Sequence, residues 1–172
     1  FDNDCFSNWQ VSDQHSQARS ACVEIYNNSK VIEVKVNNCS CSHSAGDGLW
    51  IIAKSNTEVN NFRSTDCFRG GITVVGLSKV TVNNWVSTSA TAGMFDGINT
   101  ELTGDDTGAE HMDLTVNNMI TNGQVKVQIP VHSTGTLSNI IQMPFAEDTY
   151  RGFTFSAVGG VLNVTNSILR TG

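Results

Sequence analysis

A short pattern recurs along this chain: an apolar residue, two asparagines and a second apolar residue. The clearest copies are Val36-Asn37-Asn38-Cys39, Val59-Asn60-Asn61-Phe62, Val82-Asn83-Asn84-Trp85 and Val116-Asn117-Asn118-Met119. With the weaker copies included, the second asparagine forms a column at intervals of 21 to 34 residues, comprising Asn8, Asn38, Asn61, Asn84, Asn118, Asn139 and Asn166. A repeat of this length, with alternating apolar and polar residues, predicts a solenoid of short strands.

Asparagine has two properties that suit a repeated bend. It tolerates left-handed backbone angles, and its side chain bonds local backbone groups. Stacked on the same residue one coil away, its amide can also donate to the next asparagine carbonyl and form a ladder. The alternative is a β-sandwich in which these asparagines are ordinary polar turn residues. The strands of a sandwich, however, would not repeat the same residue type at the same position in every copy.

A glycine column supports the same repeat. Each copy has a glycine, then an apolar residue, then a residue whose side chain points away from the core. The glycines are Gly48, Gly71 and Gly97, and Cys22 takes the glycine place in an earlier copy. Each coil is therefore predicted to hold a glycine-led strand, a second strand ending at the asparagine pair, and a third strand after it. No segment sustains helical apolar spacing over a useful length, which argues against a helical fold.

These features resemble the right-handed parallel β-helix of the pectate-lyase-like superfamily, an architecture shared by phage tailspikes and polygalacturonases. The resemblance covers residues 8–172 and implies an all-β, single-stranded parallel β-helix of about six coils, each with three short strands. It implies one domain over residues 1–172, with residues 1–20 in a partial first coil and residues 101–110 in a loop insertion. No terminal cap is evident, so we expect a fragment of a longer solenoid.

Composition excludes some partners. The net charge of −6 and the pI near 5.0 argue against nucleic acid, whose binding needs clustered Lys and Arg. No apolar run approaches the length of a membrane span, so no membrane insertion is expected.

The cysteines are odd in number and have no metal-type spacing: Cys5, Cys22, Cys39, Cys41 and Cys67. This pattern predicts neither a disulfide framework nor a zinc site. Packed thiols and assembly in a reducing cytosol are the expectation.

Parallel stacking turns each outward position into a row with steps of roughly 4.8 Å, suited to an extended polymer. On the first strand this row consists of Glu24, Trp50, Thr73, Asn99 and, further on, Thr154. We expect it to bind a glycan, with Arg69 beside it and Trp50 stacked on a sugar ring. Alternatively, Trp50 lies under a loop or in a subunit contact.

Two aspartates precede the glycine column. Asp47 and Asp96 lie two coils apart with Gly70 between them, and side-chain tilt could bring their carboxyls to the roughly 6.5 to 9.5 Å of inverting glycosidases. One would protonate the leaving oxygen while the other activates water. Asp-Gly is also a turn dipeptide, so a purely structural role is the alternative.

The predicted insertion is acidic and supplies a second catalytic candidate, Glu101 with Asp105. Clustered carboxylates can act as acid and base, and Asp105, Asp106 and Glu110 could bind Ca²⁺. No other cofactor is predicted. The alternative is a solvated polar loop.

The motifs of the enzyme families are missing. Polygalacturonases carry an Asn-x-Asp motif, whereas Met94-Phe95-Asp96 lacks the asparagine, and Asp105-Asp106 falls in the insertion. The remaining similarity, to tailspikes, implies a homotrimer in a virion tail, assembled in the host cytoplasm, that binds a bacterial surface polysaccharide. If the protein is an enzyme, the similarity implies hydrolysis of that polysaccharide by a pair of carboxylates. The alternatives are a fragment of a secreted lyase, hydrolase or epimerase, and a non-catalytic rod or adhesin.

Overall fold

The computed structural model describes residues 21–44, 46–76, 79–90, 96–101, 112–144, 153–157 and 159–170. Within these ranges the regular structure is entirely β. The strands are β1 (Val23–Asn37), β2 (Ser40–Ser42), β3 (Asp47–Thr65), β4 (Gly70–Val75), β5 (Lys79–Thr88), β6 (Asp96–Glu101), β7 (Asp113–Thr121), β8 (Gln124–Ile129), β9 (Thr134–Gln142), β10 (Phe153–Ala157) and β11 (Val161–Thr165). Among the described residues no helix is long and apolar enough to cross a membrane.

All ladders between the described strands are parallel, and they form three sides of a solenoid. The first side stacks the starts of β1 and β3 with β4, β6, β8 and β10. The second stacks the later parts of β1 and β3 with β5, β7, β9 and β11. The third stacks β2 with the ends of β3, β5, β7 and β9.

The predicted all-β parallel β-helix is therefore confirmed, with about five turns in the structure. The predicted partial coil at residues 1–20 lies outside the described residues. So does the predicted insertion, apart from Glu101 at the end of β6.

Three stacks of inward side chains fill the solenoid, one from each side. The first contains Leu49, Ile72, Ile98 and Val125, the second Val59, Val82, Val116 and Leu137, and the third Phe62, Trp85, Met119 and Ile140. All of them are at most 1% exposed. The repeat is needed for this burial, because no single coil encloses its own apolar side chains.

The asparagine ladder is confirmed, and it is double. The second asparagines adopt left-handed backbone angles, with φ between 48° and 58° from Asn38 to Asn166. Asn61, Asn84, Asn118 and Asn139 each donate a side-chain hydrogen bond to the preceding copy, at 2.8 to 3.1 Å. The first asparagines form a parallel ladder that was not predicted: Asn60, Asn83 and Asn117 donate at 2.9 Å, and Ser138 continues the row.

Replacing Asn84 separates its two roles, which are to form the ladder hydrogen bonds and to adopt the left-handed backbone conformation at the bend. Asn84→Ala removes two amide hydrogen bonds and leaves a β-carbon in a left-handed conformation that alanine tolerates less well than asparagine, so we expect a loss of about 2 kcal/mol in the free energy of unfolding. Asn84→Gly loses the same bonds without the steric term and should lose about 1 kcal/mol. Chemical denaturation measures both losses. Wild-type stability in both variants would show that the ladder does not hold the coils together.

The first and third strands of each coil meet at a seam of very small residues. A β-carbon at Gly71 would overlap Ser87 Oγ and Trp85 Cζ2, and one at Gly97 would overlap Thr121. Ser64 Oγ donates to Ser87 Oγ at 2.8 Å along this seam. The glycine column is thus explained by the close approach of two strands.

In the first described coil, cysteines occupy both sides of this seam. Cys22 takes the glycine position and Cys41 the serine position, and the two form a disulfide with a Cα–Cα distance of 6.1 Å. The prediction of packed thiols without disulfides is wrong for this pair. Cys39 and Cys67 are buried thiols, as expected, and Cys5 lies outside the described residues. Assembly in a reducing cytosol was inferred from the expectation that all the cysteines are thiols, and the disulfide removes that support.

Candidate functional site

The outward row of the first side is not an open surface. Trp50, Thr73 and Asn99 are 9%, 1% and 3% exposed, and all six residues of β4 are buried. The exposed members of the row are Glu24 at its start and Thr154 further along it. Alternation along the strand correctly places these side chains away from the core, but the middle of this side is buried on both faces. Trp50 therefore does not present the open stacking face that was predicted.

Several predicted residues converge around one guanidinium on this side. Asp47, Gly70 and Asp96 are in register on successive coils. Arg69 Nη1 lies 3.6 Å from Asp47 Oδ2, and Arg69 Nη2 lies 3.6 Å from Glu101 Oε1. One planar fork therefore joins two carboxylates that the sequence separates by slightly more than two coils.

The Asp47 carboxyl is the most enclosed group of the cluster. It is 2% exposed, and Thr73 Oγ1 donates to its Oδ1 at 3.0 Å. Gly70 lies beside it: a β-carbon there would be 2.9 Å from Asp47 Oδ1 and 3.0 Å from the Asp96 carbonyl oxygen. A side chain at this position would therefore crowd the Asp47 carboxylate.

Burial raises the pKa of the Asp47 carboxyl from 3.8 to about 6. The Arg69 charge and the Thr73 hydrogen bond oppose this shift, whereas the charges of Glu101 and Asp96 add to it. Desolvation disfavours the charged carboxylate, and here it outweighs a guanidinium partner. The site thus holds a carboxyl that gains and loses its proton near neutral pH.

Asn99 contributes an unsatisfied acceptor. Its Nδ2 donates to Glu101 Oε1 at 2.7 Å, while its Oδ1 is buried and accepts no hydrogen bond within the described part of the chain. Leaving a buried acceptor unsatisfied costs about 1 to 3 kcal/mol. A hydroxyl donor brought to this point would remove that cost.

Exposure rises outward across the cluster. The side chain of Asp47 is 2% exposed, that of Arg69 18% and that of Glu101 39%. A ligand would therefore meet Glu101 first and the protonatable Asp47 at the deepest point. An enclosed carboxyl of raised pKa beside a more solvated one is the arrangement used for general acid and base pairs.

Other predicted site residues fall elsewhere. Asp105, Asp106 and Glu110 lie outside the described residues, so the second catalytic candidate and the Ca²⁺ site stay predictions. In the described ranges, no three His, Cys, Asp or Glu side chains are grouped so as to hold a metal ion. The sequence singled out Arg69 but gave no sign that it bridges Asp47 and Glu101.

A second polar surface lies on the second side of the solenoid. It is a groove of about 240 Å³ lined by residues that include Glu33, Lys35, Asn56, Glu58 and Lys79. Lys35 Nζ lies 3.3 Å from Glu58 Oε2, and Asn56 Nδ2 donates to Glu33 Oε1 at 2.5 Å. The charged and polar side chains of this groove thus pair with one another, whereas the Asn99 Oδ1 acceptor has no hydrogen-bond donor among the described residues.

Comparison of the chain with protein-family models, with curated proteins and with solved structures gives no match.

Proposed function

We propose that this chain is a glycan-binding segment of a parallel β-helix, of the kind found in phage receptor-binding spikes. Its saccharide site is the cluster of Asp47, Arg69, Asn99 and Glu101. The observation that carries the proposal is the buried, unsatisfied Asn99 Oδ1 beside a protonatable carboxyl. Sugar hydroxyls both donate and accept hydrogen bonds, so a saccharide unit can engage the partly exposed Glu101. To reach the buried Asn99 oxygen as well, it must displace the side chains that cover that oxygen.

The charge of the site favours a neutral glycan. Asp47 and Glu101 share the single guanidinium of Arg69, and Asp96 lies in the same register row. An anionic sugar would meet further carboxylates without a second cation among these residues, which is repulsive in a partly enclosed site. A bacterial surface polysaccharide with neutral repeating units fits best.

The same groups supply the parts needed for hydrolysis. Asp47 would give its proton to the leaving glycosidic oxygen, and Glu101 would take a proton from the water that attacks the anomeric carbon. Asp96, predicted as the partner of Asp47, is the alternative base. The Asp47 and Glu101 carboxylates each lie 3.6 Å from a nitrogen of the Arg69 guanidinium, and the proposed mechanism requires the two carboxyls to be roughly 5 to 9.5 Å apart, as in glycosidases.

Glycan-array binding followed by titration calorimetry tests the site. Asp47→Asn and Glu101→Gln should each weaken binding by about tenfold or more, because each alters a hydrogen-bonding group in a partly desolvated site. The matched control is Glu58→Gln, which alters an acid of the second-side groove and should bind like the wild type. Equal affinity of all four proteins for a bound glycan would place the saccharide elsewhere.

Release of reducing ends from the bound glycan distinguishes a hydrolase from a binding module. If Asp47 is the general acid, cleavage should be fastest below about pH 6 and fall by about 100-fold or more in Asp47→Asn. Binding without cleavage at any pH from 4 to 8 would show that the site only holds the glycan.

The trimer in this proposal rests on an apolar row on the third side. Val86, Ile120, Ile141 and Ile168 are in register on successive coils, and the three isoleucines are 37%, 44% and 64% exposed. Three copies arranged around an axis parallel to the solenoid would bring the same row together and bury it. The first side, where Trp50 is already buried, offers no comparable row in its described centre.

Light scattering tests this interface. We expect the wild type to have three times the chain mass, and Ile141→Lys to shift it toward the monomer, because a lysine would be desolvated at the centre of the row. Asn163→Lys, on the exposed second side, is the matched control and should remain trimeric. A monomeric wild type would contradict the trimer.

A further inference from the structure

Three cysteine sulfurs meet near the start of the described solenoid. Cys41 is bonded to Cys22, and its Sγ also lies 3.5 Å from Cys67 Sγ in the buried interior. Cys39, the other buried thiol, instead contacts the Asn37 carbonyl oxygen at 3.5 Å. Cys67 is thus the one thiol in the described ranges that touches the disulfide.

The two neighbours of Cys41 belong to different coils. Cys22 precedes β1 and Cys41 lies in β2, so the present disulfide closes a single coil. Cys67 follows β3 in the next coil, at a corner where Phe68 N donates to the Ser44 carbonyl at 2.8 Å. A bond between Cys41 and Cys67 would instead join the two coils.

We propose that these residues form a thiol–disulfide exchange site in which Cys41 moves between Cys22 and Cys67. The Cys67 thiolate attacks Cys41 Sγ, the Cys41–Cys67 bond forms as the Cys22–Cys41 bond breaks, and Cys22 leaves as a thiolate that takes up a proton. No oxidant or reductant is consumed. Because Cys67 is fully buried and Cys22 is partly exposed, the exchange delivers a solvent-accessible thiol that can react with an external disulfide.

The surroundings of Cys67 keep this exchange slow at neutral pH. Burial raises the pKa of its thiol to about 12, and the charges of Asp47 and Asp66 add to the shift. Hydrogen bonds with the backbone of Ser44 and Thr65 oppose it. Since the thiolate is the attacking species, the exchange rate should rise about tenfold for each pH unit between 7 and 9.

The test uses the full chain with Cys5→Ser, so that no thiol outside the described ranges takes part. The folded protein is incubated without reductant at pH 7, 8 and 9 with an alkylating reagent, and non-reducing peptide mass spectrometry maps the products. We expect alkylated Cys22 together with a Cys41–Cys67 disulfide, both increasing with pH. Cys39→Ser is the matched control and should give the same products.

Two variants make the proposal falsifiable. Cys67→Ser should leave Cys22 unlabelled, and Cys22→Ser should form the Cys41–Cys67 disulfide during aerobic folding, detected after denaturation in alkylating reagent. The proposal fails if Cys22 is labelled as fast in Cys67→Ser as in the parent. It also fails if Cys41 and Cys67 are both recovered as alkylated thiols from folded Cys22→Ser.

Discussion

Gly71→Ala is expected to lower the free energy of unfolding by about 3 kcal/mol, among the largest effects of any single methyl group in this fold. The added carbon would overlap Trp85 Cζ2 and Ser87 Oγ and would crowd the Gly97 carbonyl oxygen at 2.7 Å. Trp85 is fully buried in the third inward stack, so it has little room to yield. The loss is measured by chemical denaturation of the purified variant.

The neighbouring glycine provides the control. At Gly70 the added carbon points to the opposite face, where the nearest atom is a carboxylate oxygen of Asp47 at 2.9 Å. Gly70→Ala should therefore reduce stability by less, while weakening any ligand bound at the Asp47 cluster. If Gly71→Ala were as stable as the wild type, the close approach of first and third strands at this seam would be wrong.

The second large effect concerns pH. The pKa of Asp47 is about 6 in the folded protein and 3.8 when unperturbed. Between pH 3.8 and pH 6 the native state therefore holds a proton that the unfolded chain has lost. The resulting stabilisation is fully present below pH 3.8 and disappears as the pH rises through 6. It amounts to about 3 kcal/mol, because one pKa unit corresponds to 1.36 kcal/mol.

Asp47→Asn isolates this contribution. Asparagine is nearly isosteric and keeps an oxygen to accept the Thr73 hydrogen bond, but it does not titrate. The wild-type stability minus that of the variant should fall by about 3 kcal/mol between pH 3.8 and pH 7. A pH-independent difference for Asp47→Asn would mean that Asp47 titrates alike in both states.

Much of the fold could be predicted because the solenoid repeats its local chemistry. The second asparagine column predicted the left-handed bends and the ladder, since both follow from the residue type and its phase. The first column, represented by Asn83, was overlooked although its period is the same. Its ladder depends on side chains stacking beside a strand, which alternation alone does not reveal.

The disulfide between Cys22 and Cys41 was not predicted from the repeat pattern. Cys22 was assigned to the glycine column, but the contact of that column with the one that contains Cys41, Ser64 and Ser87 was not predicted. Once two columns face each other, a cysteine in each position within the same coil predicts a bond. Counting cysteines without placing them led to the opposite conclusion.

Only part of the arrangement of the candidate site could be predicted from the repeat. Register placed Asp47, Gly70 and Asp96 in one row, whereas the bridge from Arg69 to Glu101 depends on long side chains that cross the coil spacing. The burial of Thr73 and Asn99 also escaped prediction, since alternation states which side of a strand a residue faces but not what lies over that side. The raised pKa of Asp47 follows from that burial.

The most direct test of the saccharide site is a carboxyl ¹³C NMR titration of Asp47 in the free protein and with a neutral oligosaccharide that it binds. We expect a titration midpoint near pH 6 in the free protein. The oligosaccharide should displace this midpoint in the wild type. It should leave the midpoint unchanged in a Glu101→Gln variant that has lost binding. A midpoint near 3.8, or one that is unchanged when the wild type is saturated with glycan, would contradict the proposed saccharide site.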